Sequence, residues 1–363
     1  MIFLDARTAT DHFPGIGRYV VNLARVLHAQ QADLGLHLIS DPTVTHQRLT
    51  LPAEVPCVPC AVSPFALAQQ WRVPALLREQ RATLYHSAYY LMPFWVGVPT
   101  LLTVYDLIPL LYPHYFTAPQ RLVFYTAHLL ALRVARVVLA ISEATKRDVR
   151  RVFGVPAHKI VVTPLAADPQ FYPRPAAEVN ALRQQYGLPD DYLLYVGSNK
   201  PHKNLARLVQ AYLQLPNDAP QLVIGGHWDA RYPEARQRAG ENPRIKFVGP
   251  LPDAHLPALY SGARLFVFPS EYEGFGLPVL EALACGAPVV CSNTSSLPEV
   301  AGDAALTCDP TQVAAIQTAL NTALNRSALT EARQQALARA AQFSWGRVAE
   351  QTAQVYRQTL GRL

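Results

Sequence analysis

One stretch constrains the fold more than any other: Ser270-Glu-Tyr-Glu-Gly-Phe-Gly-Leu-Pro-Val-Leu-Glu-Ala-Leu-Ala-Cys-Gly286. The apolar run Leu265 to Phe268 before it has strand length, and Pro269 stops it. Gly274 and Gly276 permit a tight turn with positive φ. Pro278 suits the first helical turn, where the N–H it lacks would have no intrahelical partner. A helix is predicted from near Leu277 to just before Gly286, the residue type that favours a left-handed stop. Pro288 to Cys291 then reads as a second strand. Such a strand-helix-strand unit aims the N–H groups of its first helical turn beyond the carboxyl end of the strand. An anion is the natural guest there.

Glu273 and Glu281 stand eight residues apart, one in the loop and one on the helix. Glycosidases flank their bond with two carboxylates roughly 5 to 9.5 Å apart. Eight helical residues span about 12 Å, and the turn leaves the true separation open, so the pair is a poor acid/base couple for hydrolysis. Taken alone, two glutamates on a surface loop are a solvated feature. The glycines between them change the balance, because a helix N-terminus able to hold phosphate lies between the carboxylates, and each glutamate can meet groups on one side of a diphosphate.

At 363 residues the chain exceeds what one core usually supports, which predicts two domains. Apolar runs alternate with amphipathic helical stretches and half the residues are hydrophobic, which predicts an α/β class. No apolar run reaches the ~18 residues of a membrane span, and Asp5 and Arg7 interrupt any leader-like start. The expectation is a cytoplasmic protein, and its five cysteines fit a reducing compartment. Cys57-Val-Pro-Cys60 has no second Cys/His pair at zinc spacing and reads as a loop without such chemistry.

In chain order, Ile2 to Leu4 reads as a strand and Ile16 to Gln30 as a helix with Tyr19, Leu23, Val26 and Leu27 on one face. Between them, Gly15-Ile-Gly-Arg-Tyr19 is no dinucleotide fingerprint, since Val20 stands where a third glycine belongs, and by itself it reads as a plain turn before the helix. Further strands are predicted at Leu36 to Ile39, Thr83 to His86, Thr100 to Val104 and Val137 to Ile141, with helices at 64–80, 118–134 and 143–152. Ser142 is the expected N-cap of the last. His86 and Asp106 fall at carboxyl ends of these strands, the edge where open α/β sheets bind ligands. A lone histidine is more often structural; Asp106 is harder to explain by packing and can orient an acceptor hydroxyl. Regular structure is expected to end from Val161 to Pro175.

The second half repeats the pattern. Leu193 to Val196, Gly197-Ser-Asn-Lys-Pro-His-Lys-Asn204 and Leu205 to Leu213 form strand, turn and helix, with Lys203 at the helix entrance. Strands follow at Leu222 to Ile224 and Ile245 to Val248. Phe343 to Leu360 has helical periodicity with Trp345 as an anchor.

Glu273-Gly-Phe-Gly-Leu-Pro-Val-Leu-Glu281 resembles the Glu-x7-Glu motif of the large retaining glycosyltransferase family 4. Its members have the GT-B fold, two Rossmann-like doubly wound domains facing across a cleft. The resemblance implies that Glu273 touches the donor sugar, that the amides around Gly274, Phe275, Gly276 and Leu277 hold the diphosphate, and that Glu281 binds the ribose hydroxyls. Gly15-Ile-Gly-Arg-Tyr19 is similar to the family segment in which Gly15 and Gly17 let the backbone approach the donor phosphate, with Arg18 able to add charge. The Lys203-Asn204 pair also matches. Ser198 and His202 stand where relatives often carry arginine, so Lys203 takes more of the diphosphate charge, with Lys200 as a substitute. Tyr105-Asp106 replaces the usual His-Asp, and tyrosine can still donate a hydrogen bond to the donor. Gly249 to Asp253 matches the loop that meets the nucleobase. Ser295 to Asp303, which a structural turn explains nearly as well, matches mostly mannosyl-transferring and related members, which makes GDP-mannose the first candidate donor.

On this reading residues 1–170 form an acceptor-binding domain, 171–345 a nucleotide-sugar-binding domain, and 346–363 a helix returning to the first. The implied reaction is transfer of a hexosyl group to a hydroxyl of a glycan or lipid-linked acceptor, with retention, and with Glu273, Lys203 and Asp106 as catalytic residues. No Asp-x-Asp cluster occurs, which predicts metal independence, and no cofactor is expected beyond the co-substrate. The rival readings are a sugar-nucleotide epimerase or phosphorylase on the same fold, and a non-catalytic binding subunit. Residues 1 to 167 hold 15 Lys/Arg against 9 Asp/Glu, whereas residues 168 to 363 hold 17 of each. Arg133, Arg136, Lys146, Arg147, Arg150 and Arg151 crowd behind the apolar Leu122 to Leu132. A solvated basic face explains this, as does reversible contact with an anionic membrane surface at the inner face of the membrane. No stacking motif or matching fold suggests nucleic acid.

Overall fold

The computed structural model describes residues 1–10, 13–44, 50–325 and 329–361. The chain divides into two compact units, Met1–Leu165 with Ser344–Leu363, and Ala166–Phe343.

The first unit is built on seven parallel strands: β1 (Ile2–Asp5), β2 (Leu36–Ser40), β3 (Cys57–Pro59), β4 (Leu84–Ser87), β5 (Thr100–Val104), β6 (Val137–Ala140) and β7 (Ile160–Val162). Their order is β3-β2-β1-β4-β5-β6-β7. Strands β1, β4 and β5 are buried along their whole length, so none shows the in-and-out alternation of a half-exposed strand. Helices Pro14–Gln30, Gln69–Glu79, Ala118–Val134 and Glu143–Phe153 connect them, and Ser142 caps the last through its hydroxyl. Strands β3 and β7 were not expected. Each is a short edge strand with three residues, too few for a periodic signal, and Cys57 lies on β3 rather than in a loop.

Helix Trp345–Thr359 also belongs to this unit. Trp345 is buried with its ring centre 6.3 Å from that of Tyr19, and the Tyr356 hydroxyl is 2.7 Å from His86 Nδ1. The other ring nitrogen of His86 is 2.7 Å from Thr103 Oγ1, which in turn lies 3.0 Å from the Tyr19 hydroxyl. His86 is thus a satisfied structural histidine, and its complete burial depresses its pKa to about 3.

The second unit has six parallel strands, β8 (Tyr192–Val196), β9 (Gln221–Gly225), β10 (Ile245–Gly249), β11 (Leu265–Phe268), β12 (Val289–Ser292) and β13 (Ala305–Cys308), in the order β10-β9-β8-β11-β12-β13. Both sheets are doubly wound. Strand order reverses between β1 and β4 in the first and between β8 and β11 in the second, and the carboxyl ends at such a reversal form a ready crevice. Among the described residues no helix is long and apolar enough to cross a membrane.

Candidate active site

The loops that follow β8 and β11 are joined backbone to backbone where the second sheet reverses. The Glu271 amide donates to the His202 carbonyl at 2.7 Å, and the Ser270 hydroxyl donates to the same oxygen at 3.1 Å. Asn204 is buried in the left-handed region, φ 61°, and its side-chain amide donates to the carbonyls of Pro269 at 3.0 Å and Pro310 at 2.7 Å. Arg207 donates to the Asn204 side-chain oxygen at 2.8 Å and pairs with Glu271.

On this support Lys203 Nζ lies 2.6 Å from Glu273 Oε1 and 5.4 Å from the centre of the Phe268 ring. Glu273 is buried at 8% exposure. Water is largely excluded from the pair, so each charge depends on its partner. An incoming anion can exchange with the carboxylate for the ammonium group.

Gly276 opens helix Leu277–Ala284 with φ 102°, and a Cβ there would come 2.5 Å from Leu297 Cδ2. Gly274 is not among the residues with positive φ, so the turn needs one left-handed glycine rather than two. A neighbouring segment splints the loop. Ser295 Oγ accepts from the Glu273 amide at 3.0 Å, and the Ser296 hydroxyl lies 2.9 Å from the carbonyl of Glu273 and 2.7 Å from that of Phe275. Phe275 is buried edge-on against Phe343. Leu277 starts the helix, and Glu281 sits on its second turn, 5% exposed, with the Tyr260 hydroxyl 3.5 Å from its carboxylate. Burial, reinforced by the charge of Glu281, pushes the nearby Cys285 thiol up to about 12.

The turn after β8 is equally constrained. A Cβ on Gly226 would fall 2.1 Å from the Gly197 carbonyl oxygen, so the loops after β8 and β9 touch at glycine. Asn199 bridges them: its amide donates to the carbonyls of Asp229 (2.8 Å) and Tyr232 (2.7 Å), and its oxygen accepts from the Asp229 amide at 2.7 Å. Ser198 is half-buried, with its carbonyl accepting from Tyr195 at 2.8 Å; Lys200 is exposed. Burial, with Lys203 and Lys200 adding to it, lowers His202 to about 3 and keeps it neutral. A recess lined by Gly197, Asn199, His227, Trp228 and Gly249 opens on the same edge.

In the first unit, Gly15 and Gly17 are helical rather than part of a turn, because helix Pro14–Gln30 begins two residues earlier than its periodicity suggested, with proline at its start. Tyr105 meets Tyr19 edge-on at 5.7 Å, and its buried hydroxyl has no hydrogen-bond partner among the described residues. Asp106 Oδ1 accepts from the Ile108 amide at 3.0 Å, two residues on at the start of the short helix Ile108–Leu111, so a local backbone hydrogen bond accounts for part of its role. Sequence reasoning missed the buried pair at the end of β1. Arg7 donates to both Asp5 oxygens at 2.9 and 2.7 Å, and the Tyr85 hydroxyl donates to Asp5 at 2.6 Å. Arg7 and Tyr85 hold the Asp5 carboxyl below the usual carboxylate range, although burial opposes them as the largest single influence. Among the described residues no group of three His, Cys, Asp or Glu side chains could hold a metal ion.

The family model for glycosyl transferases group 1 matches residues 179–342, and that for Glycosyltransferase Family 4 matches residues 14–171. The O-antigen chain mannosyltransferase B of Escherichia coli is 37% identical over 309 residues, covering 82% of this chain and 80% of that protein. The chain belongs to this glycosyltransferase family. The enzyme is also 34% identical over 262 residues to the serotype-specific mannosyltransferase WbdA of Escherichia coli, covering 69% of this chain but only 32% of WbdA. Among solved structures, sucrose-phosphate synthase from Thermosynechococcus elongatus superposes with a TM-score of 0.78 at 25% identity, covering 100% of this glycosyltransferase and 99% of that chain. Anabaena Alr3699/HepE, in complex with UDP and glucose, gives a TM-score of 0.76 at 20% identity over 98% of both chains, a likeness of fold alone. The fold is GT-B. These relatives do not favour an epimerase, a phosphorylase or a non-catalytic subunit.

Proposed function

We propose that this glycosyltransferase moves a mannosyl group from GDP-mannose to a hydroxyl of a glycan or lipid-linked acceptor, with retention at the anomeric carbon. The observation that carries the reading is the contact between Lys203 and Glu273 beside the N-terminus of helix Leu277–Ala284, at the reversal between β8 and β11. Departure of a nucleoside diphosphate places negative charge on the leaving oxygen. A fixed ammonium and the amides around Gly274, Phe275, Gly276 and Leu277 meet that charge without reorganisation. Glu273, freed from Lys203, takes hydroxyls of the sugar, and Glu281 takes those of the ribose. In the first unit Gly15, Gly17 and Tyr105 serve the donor, and Asp106 orients the acceptor. Ser198 lines the diphosphate, and the recess beside Trp228 and Gly249 receives the base.

The mannosyltransferase relatives support the sugar, and the O-antigen chain named for one of them supports a glycan acceptor. Incubation with GDP-mannose and a mannose-terminated oligosaccharide tests the reading. The expected product is an α-mannoside, and transfer from UDP-sugars only, or a β-linked product, would contradict it. Excess chelator is expected to leave the rate unchanged.

Membrane contact on the cytoplasmic side belongs to the same proposal. Helix Ala118–Val134 exposes Leu122 at 63% and Val123 at 60%, and Arg133, Arg136, Arg147, Arg150 and Arg151 are exposed after them. Apolar side chains enter the headgroup boundary while each basic residue near anionic lipid contributes ~1 kcal/mol. Co-sedimentation at low salt should favour anionic over neutral vesicles, and equal binding to both would point to an acceptor in solution.

A further inference from the structure

Three aromatic rings from three separate loops meet at the carboxyl edge of the first unit's sheet. Phe13 follows β1, Phe65 follows β3 and Tyr89 follows β4, all members of one parallel sheet. Ring centres are 6.0 Å apart for Phe13 and Phe65, 5.3 Å for Phe13 and Tyr89, and 6.4 Å for Phe65 and Tyr89. The cluster lies beside the reversal between β1 and β4, where sheets of this kind bind ligands. Rings usually gather to leave water, yet Phe65 keeps 59% of its surface exposed.

Its support is rigid. Buried Arg7, fixed by Asp5, donates to the Val62 carbonyl at 3.0 Å, and buried Gln69 donates through its side chain to the Pro64 carbonyl. The segment leading into Phe65 is therefore held by groups that the catalytic machinery does not use. Ser87, at the end of β4, donates to the Tyr89 carbonyl at 2.6 Å. Polar chemistry borders the rings: the Tyr89 hydroxyl donates to that of Tyr90 at 3.2 Å, and burial, with the charge of Asp106 adding to it, raises both phenols.

An exposed ring bordered by hydroxyls and a carboxylate suits a pyranose, which has a C–H face for the ring and hydroxyl edges for the border. An acyl chain would use only the rings. We infer that Phe13, Phe65 and Tyr89 form the subsite for the terminal sugar of the acceptor, with Phe65 stacking on its C–H face and Asp106 and Tyr90 facing its hydroxyls. The inference rests on the transferase reading only in taking the acceptor to be a glycan. Arg7 and Gln69 are positioning residues for this subsite.

Saccharide binding to the full chain without donor tests it, with α-linked mannotriose as the probe and saturation-transfer NMR as the readout. The wild type should bind, Phe65→Ala should bind about tenfold more weakly, and Phe65→Trp should restore binding. An unchanged Tm in Phe65→Ala checks that the loss is local, and GDP-mannose titrated into the same samples should show equal affinity in all three. Mannotriose binding that is absent from the wild type, or equal in wild type and Phe65→Ala, would overturn the subsite. Failure of GDP-mannose to bind the wild type would instead remove the donor reading, and the mannotriose titration would still decide this one.

Discussion

Lys203 Nζ stands 2.6 Å from Glu273 Oε1 and so ties the loop after β8 to the loop after β11. The two residues are 70 positions apart in the chain, and only the reversal of strand order brings them together. Under the proposed function a diphosphate offers the ammonium more charge than one carboxylate, so donor binding exchanges one partner for the other and leaves Glu273 to the sugar. Under that function the pair is the resting state of the site.

The exchange separates the two glutamates. Glu281→Ala is expected to weaken nucleotide binding, because it removes an acceptor for hydroxyls that the nucleotide possesses. Glu273→Ala should spare the affinity for GDP, since it releases Lys203, but should depress transfer. Isothermal titration with GDP alongside kcat measures both, and equal loss of GDP affinity in the two variants would overturn this division.

Gly276→Ala should damage the site from the backbone outward. Its φ of 102° strains any residue with a Cβ, and that Cβ would press on Leu297 at 2.5 Å. A cost of about 1 to 3 kcal/mol is expected, together with weaker GDP binding as the start of helix Leu277–Ala284 shifts. Urea melts and GDP titration of the same preparation would check this; a variant with unchanged stability and affinity would show that the turn does not need its left-handed glycine.

Stability should fall with mild acid. Burial lowers His86, His128 and His202 to about 3 from an ordinary 6.5. The unfolded chain therefore takes up protons that the folded chain refuses. Their contribution is complete above 6.5 and is lost as pH falls from there towards 3, by up to about 1.4 kcal/mol per histidine per pH unit. His128 packs against both Tyr90 and Phe124, with ring centres 3.9 and 4.0 Å away, so His128→Phe keeps the shape and should flatten the slope. Denaturant midpoints between pH 7.5 and 5 that do not move would contradict the assignment of neutral histidines.

Much of this was legible in the sequence because its signals are local. Pro269, Gly276 and Pro278 punctuate β11 and the following helix through their own backbone limits, and Glu273 and Lys203 stand out beside such punctuation. Strands β3, β7 and β13 were missed because three or four residues at a sheet edge carry too little periodicity. The bond from Tyr85 to Asp5 and the aromatic cluster depend on contacts between residues distant in sequence, which no spacing rule contains. Asn204 was visible only as part of a Lys-Asn match. Its left-handed backbone and its bonds to Pro269 and Pro310 emerge once the sheet is assembled.

In the proposed function Lys203 holds the diphosphate. Titrating GDP and guanosine into the wild type and Lys203→Met by calorimetry tests it directly. A charge-assisted contact of about 1.5 to 3 kcal/mol predicts GDP binding roughly ten- to a hundredfold weaker in Lys203→Met, with guanosine binding unchanged. Equal GDP affinity in the two proteins, or a parallel loss for guanosine, would contradict it.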